Sequence, residues 1–446
     1  MARWLYTVLL ALVAPVFWLA LARRARREGG SWQVLHRQRF GWGWRCQLPA
    51  APIWIHAVSL GETRAVEPLI DTLLAEGVPI LLTHTTATAR RAAAQRFAAA
   101  VAQGRLQQAW LPYDFPGAMR RFIQASGASQ LLLVERELWP NLLAECQRAH
   151  LPVALINARL SARSAAQMRR WQRWLRPGLA SLQAVLAQTA ADGERLAALG
   201  APTACVTGNL KFDVTPDPVA QRDGAAWRQA WQRPVVMLAS SRDGEEAMFA
   251  TAWARGASTA LRPARMLVVP RHAARFGEVA ELLARTDPGW QRRSAWPDPA
   301  RVPAACQWLL GDSMGEMARY YGAADIVMLG GSFADFGGQN LLEACAAGVP
   351  VIVGPSCRNF AQAVTDAVAA GAAVQVADAE AALALAAHWL AEPAERARRA
   401  AAARAFVGRH RGATAAVVEF CRRTRRASAD TECAIAAAPD HPGSCG

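Results

Sequence analysis

The sequence predicts an α/β protein made of two parallel sheets in tandem, each covered by helices on both faces. Three observations carry this reading. Eleven short apolar runs alternate with helical patterns: "IWIHAV", "PILLTH", "LLLVE", "VALINA", "AVLAQ", "ACVTG", then "VVMLAS", "RMLVVP", "CQWLLG", "DIVMLGG" and "PVIVGP". Such spacing implies βαβ units with buried strands. The 446 residues exceed one compact core and suit two domains of roughly 150 to 200 residues each. Between the sixth and seventh runs, "VTPDPVAQRDG" interrupts the series with two prolines and a charge cluster. Tandem open sheets place their ligand-binding strand ends around an interdomain cleft.

The first element stands apart from a soluble pattern. Residues 4–22, "WLYTVLLALVAPVFWLALA", are uncharged and about long enough to cross a bilayer as a helix, and "RRARR" follows at once. A cleaved signal peptide has the reverse order of charge and small residues. The arginines hold the carboxyl side in the cytoplasm by the positive-inside rule. The expectation is an uncleaved single-pass anchor over 1–27 with a cytoplasmic body. Residues 28–50 then read as an arginine- and tryptophan-rich juxtamembrane linker, 51–213 and 214–424 as the two domains, and 425–446 as a disordered tail.

Net charge is +15, from 50 basic and 35 acidic residues, which favours anionic partners without choosing among them. The basic residues are dispersed and no aromatic-basic recognition module accompanies them, which disfavours nucleic acid as the partner. The 9 cysteines form no CxxC pair or regular spacing, so neither a zinc site nor a disulfide framework is indicated. Lys211 is the single lysine in a chain whose other cations are arginines.

Motifs at the strand ends carry the chemistry. "HAVSLGE" puts Ser59, Gly61 and Glu62 where the first strand has ended and a helix begins. Glu62 there can take a proton from a substrate hydroxyl, or can simply cap the helix. In "LLLVERELWPNLL", Glu135 and Glu137 straddle Arg136, and strand alternation puts both carboxylates on one side of the chain, placed either to hold sugar hydroxyls or to form a structural ion pair. Lys211 in "TGNLKFD" offers a compact ammonium to a carboxylate or phosphate, against the plainer reading of a solvated lysine. Ser240 and Ser241 precede an acidic helix start, and Arg271-His272 ends the "RMLVVP" strand. "LGGSFADFGGQNLLEACAAG" brings Gly330, Gly331, Gly337 and Gly338 before Gln339, Asn340 and Glu343, read as the opening turn of a helix. Glycines admit close backbone approach and a helix amino end faces phosphate, which fits a nucleotide better than a tight turn. The run is neither GxGxxG nor a Walker loop, so a dinucleotide dehydrogenase or P-loop enzyme is disfavoured.

In order along the chain, "HAVSLGE", "ELWPNL", "NARLSARS", "GNLKFD", "PRHAARF", "DSMGEM" and "GGQNLLEACAAGVPVIVGP", with "NF" at 359–360, resemble the 3-deoxy-D-manno-octulosonic acid (Kdo) transferase family of lipopolysaccharide synthesis. That family is membrane-associated and has the GT-B glycosyltransferase fold, two Rossmann-like domains facing a central cleft. The resemblance implies transfer of Kdo from CMP-Kdo to a phosphorylated lipid A precursor at the cell inner membrane. It places the family's base on Glu62 and its motif lysine on Lys211. It places donor-binding positions on Arg271, Met314, Gly315, Glu316, Asn340 and Glu343. Ser240, Ser241, Gly337 and Gly338 join the donor side, and Ser59, Gly61, Glu135 and Glu137 the acceptor side. The expected reaction inverts configuration and uses no metal and no cofactor, CMP-Kdo being a substrate. A GT-B enzyme using a UDP or ADP sugar would share this architecture, and a donor panel separates the two.

Overall fold

The computed structural model describes residues 2–28, 34–213, 216–257, 261–296 and 302–436. The chain divides into two compact units, unit 1 from Met1–Asp213 with Arg411–Gly446, and unit 2 from Val214–His410.

Unit 1 holds seven parallel strands: β1 (Ile53–His56), β2 (Ile80–His84), β3 (Leu106–Trp110), β4 (Gln130–Val134), β5 (Val153–Ala158), β6 (Ala184–Ala187) and β7 (Cys205–Val206). Their order is β3-β2-β1-β4-β5-β6-β7. The chain winds outward from β1 to one edge, then restarts at β4 on the other side of β1. The crevice between β1 and β4 is therefore the switch point, where open α/β sheets bind ligands. β1 is buried at all four residues because helices cover both faces: Ile53 and Ile55 face Val66, Leu69, Ile70 and Leu73, while Trp54 packs with Phe122 and Leu133.

Unit 2 repeats the scheme with β8 (Val235–Ser241), β9 (Arg265–Pro270), β10 (Gln291–Arg292), β11 (Trp308–Leu310), β12 (Ile326–Leu329), β13 (Val351–Val353) and β14 (Ala373–Gln375). The order β10-β11-β9-β8-β12-β13-β14 puts its switch point between β8 and β12. All eleven apolar runs of the sequence are strands, and the three strands that lack such a run, β3, β10 and β14, are sheet edges. An edge strand is short or turns one side to solvent, so β3 reads "LQQAW" and β10 has only two half-buried residues.

Helix Leu60–Ala65 is separated at Val66 from a second helix, Glu67–Ala75, which carries Pro68 in its first turn where no backbone bond is lost. Several expectations need correction. The interdomain stretch is mostly helix Pro218–Trp231, whose Gly224 lies so close to Arg319 that any side chain there would strike its carbonyl oxygen. Unit 2 closes at His410, earlier than the expected 424. The chain then returns to unit 1 as helix Ala413–Ala436, with Ala413, Val417, Val418 and Cys421 buried in the unit 1 core. The expected disordered tail is thus helical through 436, and 437–446 lie outside the described residues.

The amino-terminal helix Ala2–Glu28 is continuous through Pro15, and its stretch Arg3–Arg23 is long and apolar enough to cross a membrane. It also touches unit 1 along its length. Tyr6 donates to Asp114 at 3.0 Å, Thr7 and Asn141 exchange hydrogen bonds, and Trp18 packs on Tyr113 and Phe40. Asp114 in turn accepts the amides of Asn141 and Leu142 at 3.0 and 2.8 Å, capping helix Pro140–Arg148. Of the expected juxtamembrane linker, the described residues from 34 onward pack within unit 1: Trp44 stacks on Phe122, and buried Arg39 lies over Trp110 while donating to the carbonyls of Leu111 and Thr85.

Candidate active site

In unit 1 the site is built at the β1/β4 switch point. β1 ends at His56, three residues of loop follow, and Ser59 caps helix Leu60–Ala65. The Glu62 carboxylate folds back over that start. Its Oε2 accepts the Val58 amide at 2.7 Å and its Oε1 the Ser59 hydroxyl at 3.0 Å, while Ser59 Oγ accepts the Glu62 amide at 3.3 Å. This is a capping box shifted by one residue, so the capping reading of Glu62 is correct as far as it goes. Each carboxylate oxygen keeps a further lone pair for a substrate proton. Burial pushes the Glu62 carboxyl up to about 7; the Val58 amide pulls against it, and the charges of Glu137 and Glu135 push the same way. Gly61 is exposed, and a side chain there would meet only Ser59 Oγ, at 3.9 Å.

Across the switch point, β4 is followed at once by Glu135, whose φ of +61° is left-handed. That conformation costs a non-glycine residue of order 1–3 kcal/mol and is found where the surroundings over-determine it. Here Glu135 Oε1 accepts Lys211 Nζ at 2.9 Å. The turn breaks the strand alternation expected to align Glu135 with Glu137, yet both charges still act on Glu62. Glu137 Oε2 accepts the Trp139 indole N–H at 2.9 Å, and burial raises its own pKa. Lys211 sits in the turn Leu210–Phe212, which touches helix Leu60–Ala65. Glu62, Glu135, Glu137 and Lys211 are therefore one cluster, drawn from three segments.

Sequence reading missed the residue that places Lys211. Asn157, in β5 with φ +51°, accepts the Leu210 amide through Oδ1 at 3.0 Å, and Asn209 Oδ1 accepts the Lys211 amide at 3.0 Å. "NARLSARS" holds the signal, an asparagine inside an apolar strand, which is a poor strand residue unless its side chain has work.

In unit 2 the candidates gather at the carboxyl ends of β8, β9, β11 and β12, on one edge of a parallel sheet. Ser240 has φ +55°, and buried Ser241 donates to Glu246 at 2.6 Å. Arg271 follows β9, its amide donating to the Ser241 carbonyl at 3.0 Å. The buried Tyr321 hydroxyl is raised well above its usual range by burial, with Glu343 pushing the same way and Arg271 opposing, which places both side chains around it. Met314 and Gly315 form an exposed turn. Glu316 is engaged otherwise: it accepts Ser313, Arg293 at 3.0 Å and Arg319 at 2.8 Å, which outweigh its burial and hold its carboxyl low. Helix Leu342–Ala346 starts later than expected, so Gln339 and Asn340 precede it; Asn340 Oδ1 accepts the Leu342 amide at 3.1 Å, and Glu343 stands in the first turn.

The second missed residue shapes the glycine loop. Glu245 is fully buried, and its carboxylate accepts the amides of Arg242, Gly331, Phe333 and Ala334 at 2.8, 2.6, 2.9 and 3.1 Å. Gly330 must be glycine because a Cβ would lie 2.5 Å from Ser241 Cα, and Gly337 and Gly338 have φ of +82° and +79°. Among the described residues no three His, Cys, Asp or Glu side chains converge as a metal site.

Known proteins share this chain's sequence and fold. Residues 35–214 match the family model for 3-deoxy-D-manno-octulosonic-acid transferase, and residues 293–406 that for glycosyl transferases group 1. A 3-deoxy-D-manno-octulosonic acid transferase of Bordetella pertussis is 51% identical over 93% of this chain and 97% of its own. One from Haemophilus influenzae is 33% identical over 81% of this chain and 84% of its own. A glycosyltransferase structure from Rickettsia africae superposes with a TM-score of 0.52 at 13% identity, covering 84% of this chain and 99% of that one, which shows the fold. With two seven-stranded parallel sheets in the GT-B manner, the chain belongs to the 3-deoxy-D-manno-octulosonic acid (Kdo) transferase family, the glycosyltransferases that add Kdo in lipopolysaccharide synthesis.

Proposed function

We propose that the protein transfers Kdo from CMP-Kdo to a phosphorylated lipid A precursor, with inversion, at the cytoplasmic face of the cell inner membrane. One observation carries the chemistry: a carboxyl group pushed up to about 7 at the β1 strand end, grouped with Glu135, Glu137 and Lys211. A base with that proton affinity is matched to a hydroxyl that becomes acidic only as its new bond forms.

In this reading Glu62 takes the proton of the acceptor hydroxyl while the oxygen attacks the anomeric carbon from the face opposite CMP. The new carbon–oxygen bond forms as the bond to the CMP phosphate oxygen breaks, and the electron pair leaves with CMP. Lys211 spends one N–H on Glu135 and has two more for an anionic substrate group. Arg271 brings positive charge to the departing phosphate. No metal or cofactor is needed, so turnover is expected to persist in excess EDTA.

The amino-terminal helix is the proposed anchor. Sequence alone suggests a single crossing; its contacts at Tyr6, Thr7 and Trp18 favour a helix seated on unit 1 with its outward apolar side in lipid. Anionic lipids and the acceptor's phosphates then meet nearby arginines, and high salt weakens that engagement.

The test is mass spectrometry of products from the purified full chain in detergent, with CMP-Kdo and a tetraacylated lipid A precursor, beside Glu62→Gln. Kdo mass increments that vanish in the variant, with CMP binding near normal, are expected. Full turnover by Glu62→Gln would remove Glu62 as the base, and product only from a UDP or ADP sugar would replace the donor.

A further inference from the structure

A cavity of unit 1, about 450 Å³, lies between the amino-terminal helix, the loop after β4 and helix Gln172–Ala180. Its walls are apolar: Leu9, Leu138, Trp171, Trp174 and Leu175. Leu9 and Trp171 are 55% and 56% exposed, and the Trp171 and Trp174 rings meet edge to face at 5.7 Å. Arg3 and Arg136 also line the cavity, each with one guanidinium nitrogen committed, to Glu145 and to Ser164. Each guanidinium has five N–H donors, so both keep donors for an anion.

Three features say what fills it. Leu9 belongs to the helix that is long and apolar enough to cross a membrane, so the groove opens beside the proposed anchor. Glu137 lines it as well, and the Glu137 charge acts on Glu62, so one wall lies within electrostatic reach of the proposed base. Cationic side chains beside an apolar trench complement a molecule that carries phosphate next to hydrocarbon. We infer that this groove receives one acyl chain of the phosphorylated acceptor, with Arg3 and Arg136 meeting its phosphate, so that the chain presents the acceptor hydroxyl to Glu62. The inference rests on the proposed function and names where the acceptor's hydrocarbon goes.

The experiment uses the full chain in detergent and two acceptors, the tetraacylated phosphorylated disaccharide and its O-deacylated form. Trp171→Ala, at an exposed position that the fold tolerates, is expected to raise KM for the tetraacylated acceptor about tenfold, as for the loss of one buried aromatic contact. Its kcat should not change, nor its KM for the deacylated acceptor. In parallel, a tetraacylated acceptor with a diazirine on one chain is photolysed and the label mapped by mass spectrometry; label within 136–140 and 171–175 is expected. Equal KM shifts for the two acceptors, label confined to the outward side of the amino-terminal helix, or equal labelling by a diazirine phosphatidylethanolamine would overturn the groove while Kdo transfer stood. Absence of Kdo transfer by the wild type to either acceptor would instead remove the functional reading, and label in the groove would then mark a lipid site unconnected to the acceptor.

Discussion

The two switch points share a topology and differ in what they do with carboxylates. At the β8/β12 crevice the acids are consumed: Glu245 by four amides, Glu246 by Arg275 and Ser241, Glu316 by two arginines and Ser313. What they shape is a buried loop of glycines, proposed to lie against the donor's anionic group. At the β1/β4 crevice three glutamates crowd together with Lys211 as the paired cation, and burial leaves Glu62 with a strong hold on its proton. In the proposed reading one fold thus serves as an anion cradle in one unit and supplies a base in the other, by satisfying the acids of the first and leaving those of the second partly desolvated.

The largest expected effect tests the cradle. Glu245→Ala strips the acceptor from four buried or half-buried amides, and unmet donors cost of order 1–3 kcal/mol each where water cannot reach them. We expect a loss of about 4 kcal/mol in unfolding free energy and CMP affinity reduced at least about a hundredfold, read by denaturant melts and calorimetry. Unchanged CMP affinity in the folded variant would detach the glycine loop from the donor. In unit 1, Lys211→Met should lower kcat/KM by about 10²–10³ with the fold intact, the usual cost of one transition-state cation or donor. An undiminished variant would make the Glu135–Lys211 pair structural only.

The asymmetry explains which parts of the site were legible in the sequence. Glu62, Lys211 and the glycine loop each follow a strand that reads as a dry apolar run, so a local pattern suffices to place them. Asn157 acts through a partner 53 residues away, and Glu245 through three loop partners 86 to 89 residues away beside one local amide, and "DGEE" looks like any acidic helix start until the glycine loop is folded over it. Glu135 misled by the opposite route, since strand alternation was extended one residue past the point where the chain turns left-handed. The helix after Ala413 has a core stripe at 413, 417, 418 and 421, but an alanine- and arginine-rich composition conceals where such a stripe ends. Edge strands β3, β10 and β14 lack the apolar run, as a strand covered on fewer sides can, while the fourth edge, β7, keeps such a run although Cys205 and Val206 are exposed.

The pH response is a moderate effect that belongs to unit 1 alone. A base works deprotonated, so kcat/KM should rise about tenfold per pH unit below about 7 and level above it. Stability runs the other way. In the unfolded chain Glu62 releases its proton near 4.5 and in the folded protein near 7, so between those values the folded state binds more protons and loses stability as pH rises. Glu62→Gln lacks this titration, so its melting temperature relative to the wild type should increase from pH 5 to pH 8. A difference that stays flat would mean that Glu62 is not the buried acid.

The smallest effect separates charge from shape within the crowded crevice. Glu137→Gln removes one of the negative charges that hold the proton on Glu62, while its amide oxygen can still accept the Trp139 indole, whose present bond is 2.9 Å. If Glu137 acts through its field, the acid limb of the pH profile should move down by about half a pH unit with the plateau rate kept. If it acts by holding the loop that walls the acyl groove, the limb should stay in place and KM for the acylated acceptor should rise instead. Because Glu137 is the one residue shared by the base cluster and the groove, the two outcomes decide whether the acid-rich crevice is tuned by its own charges or by the lipid lying beside it.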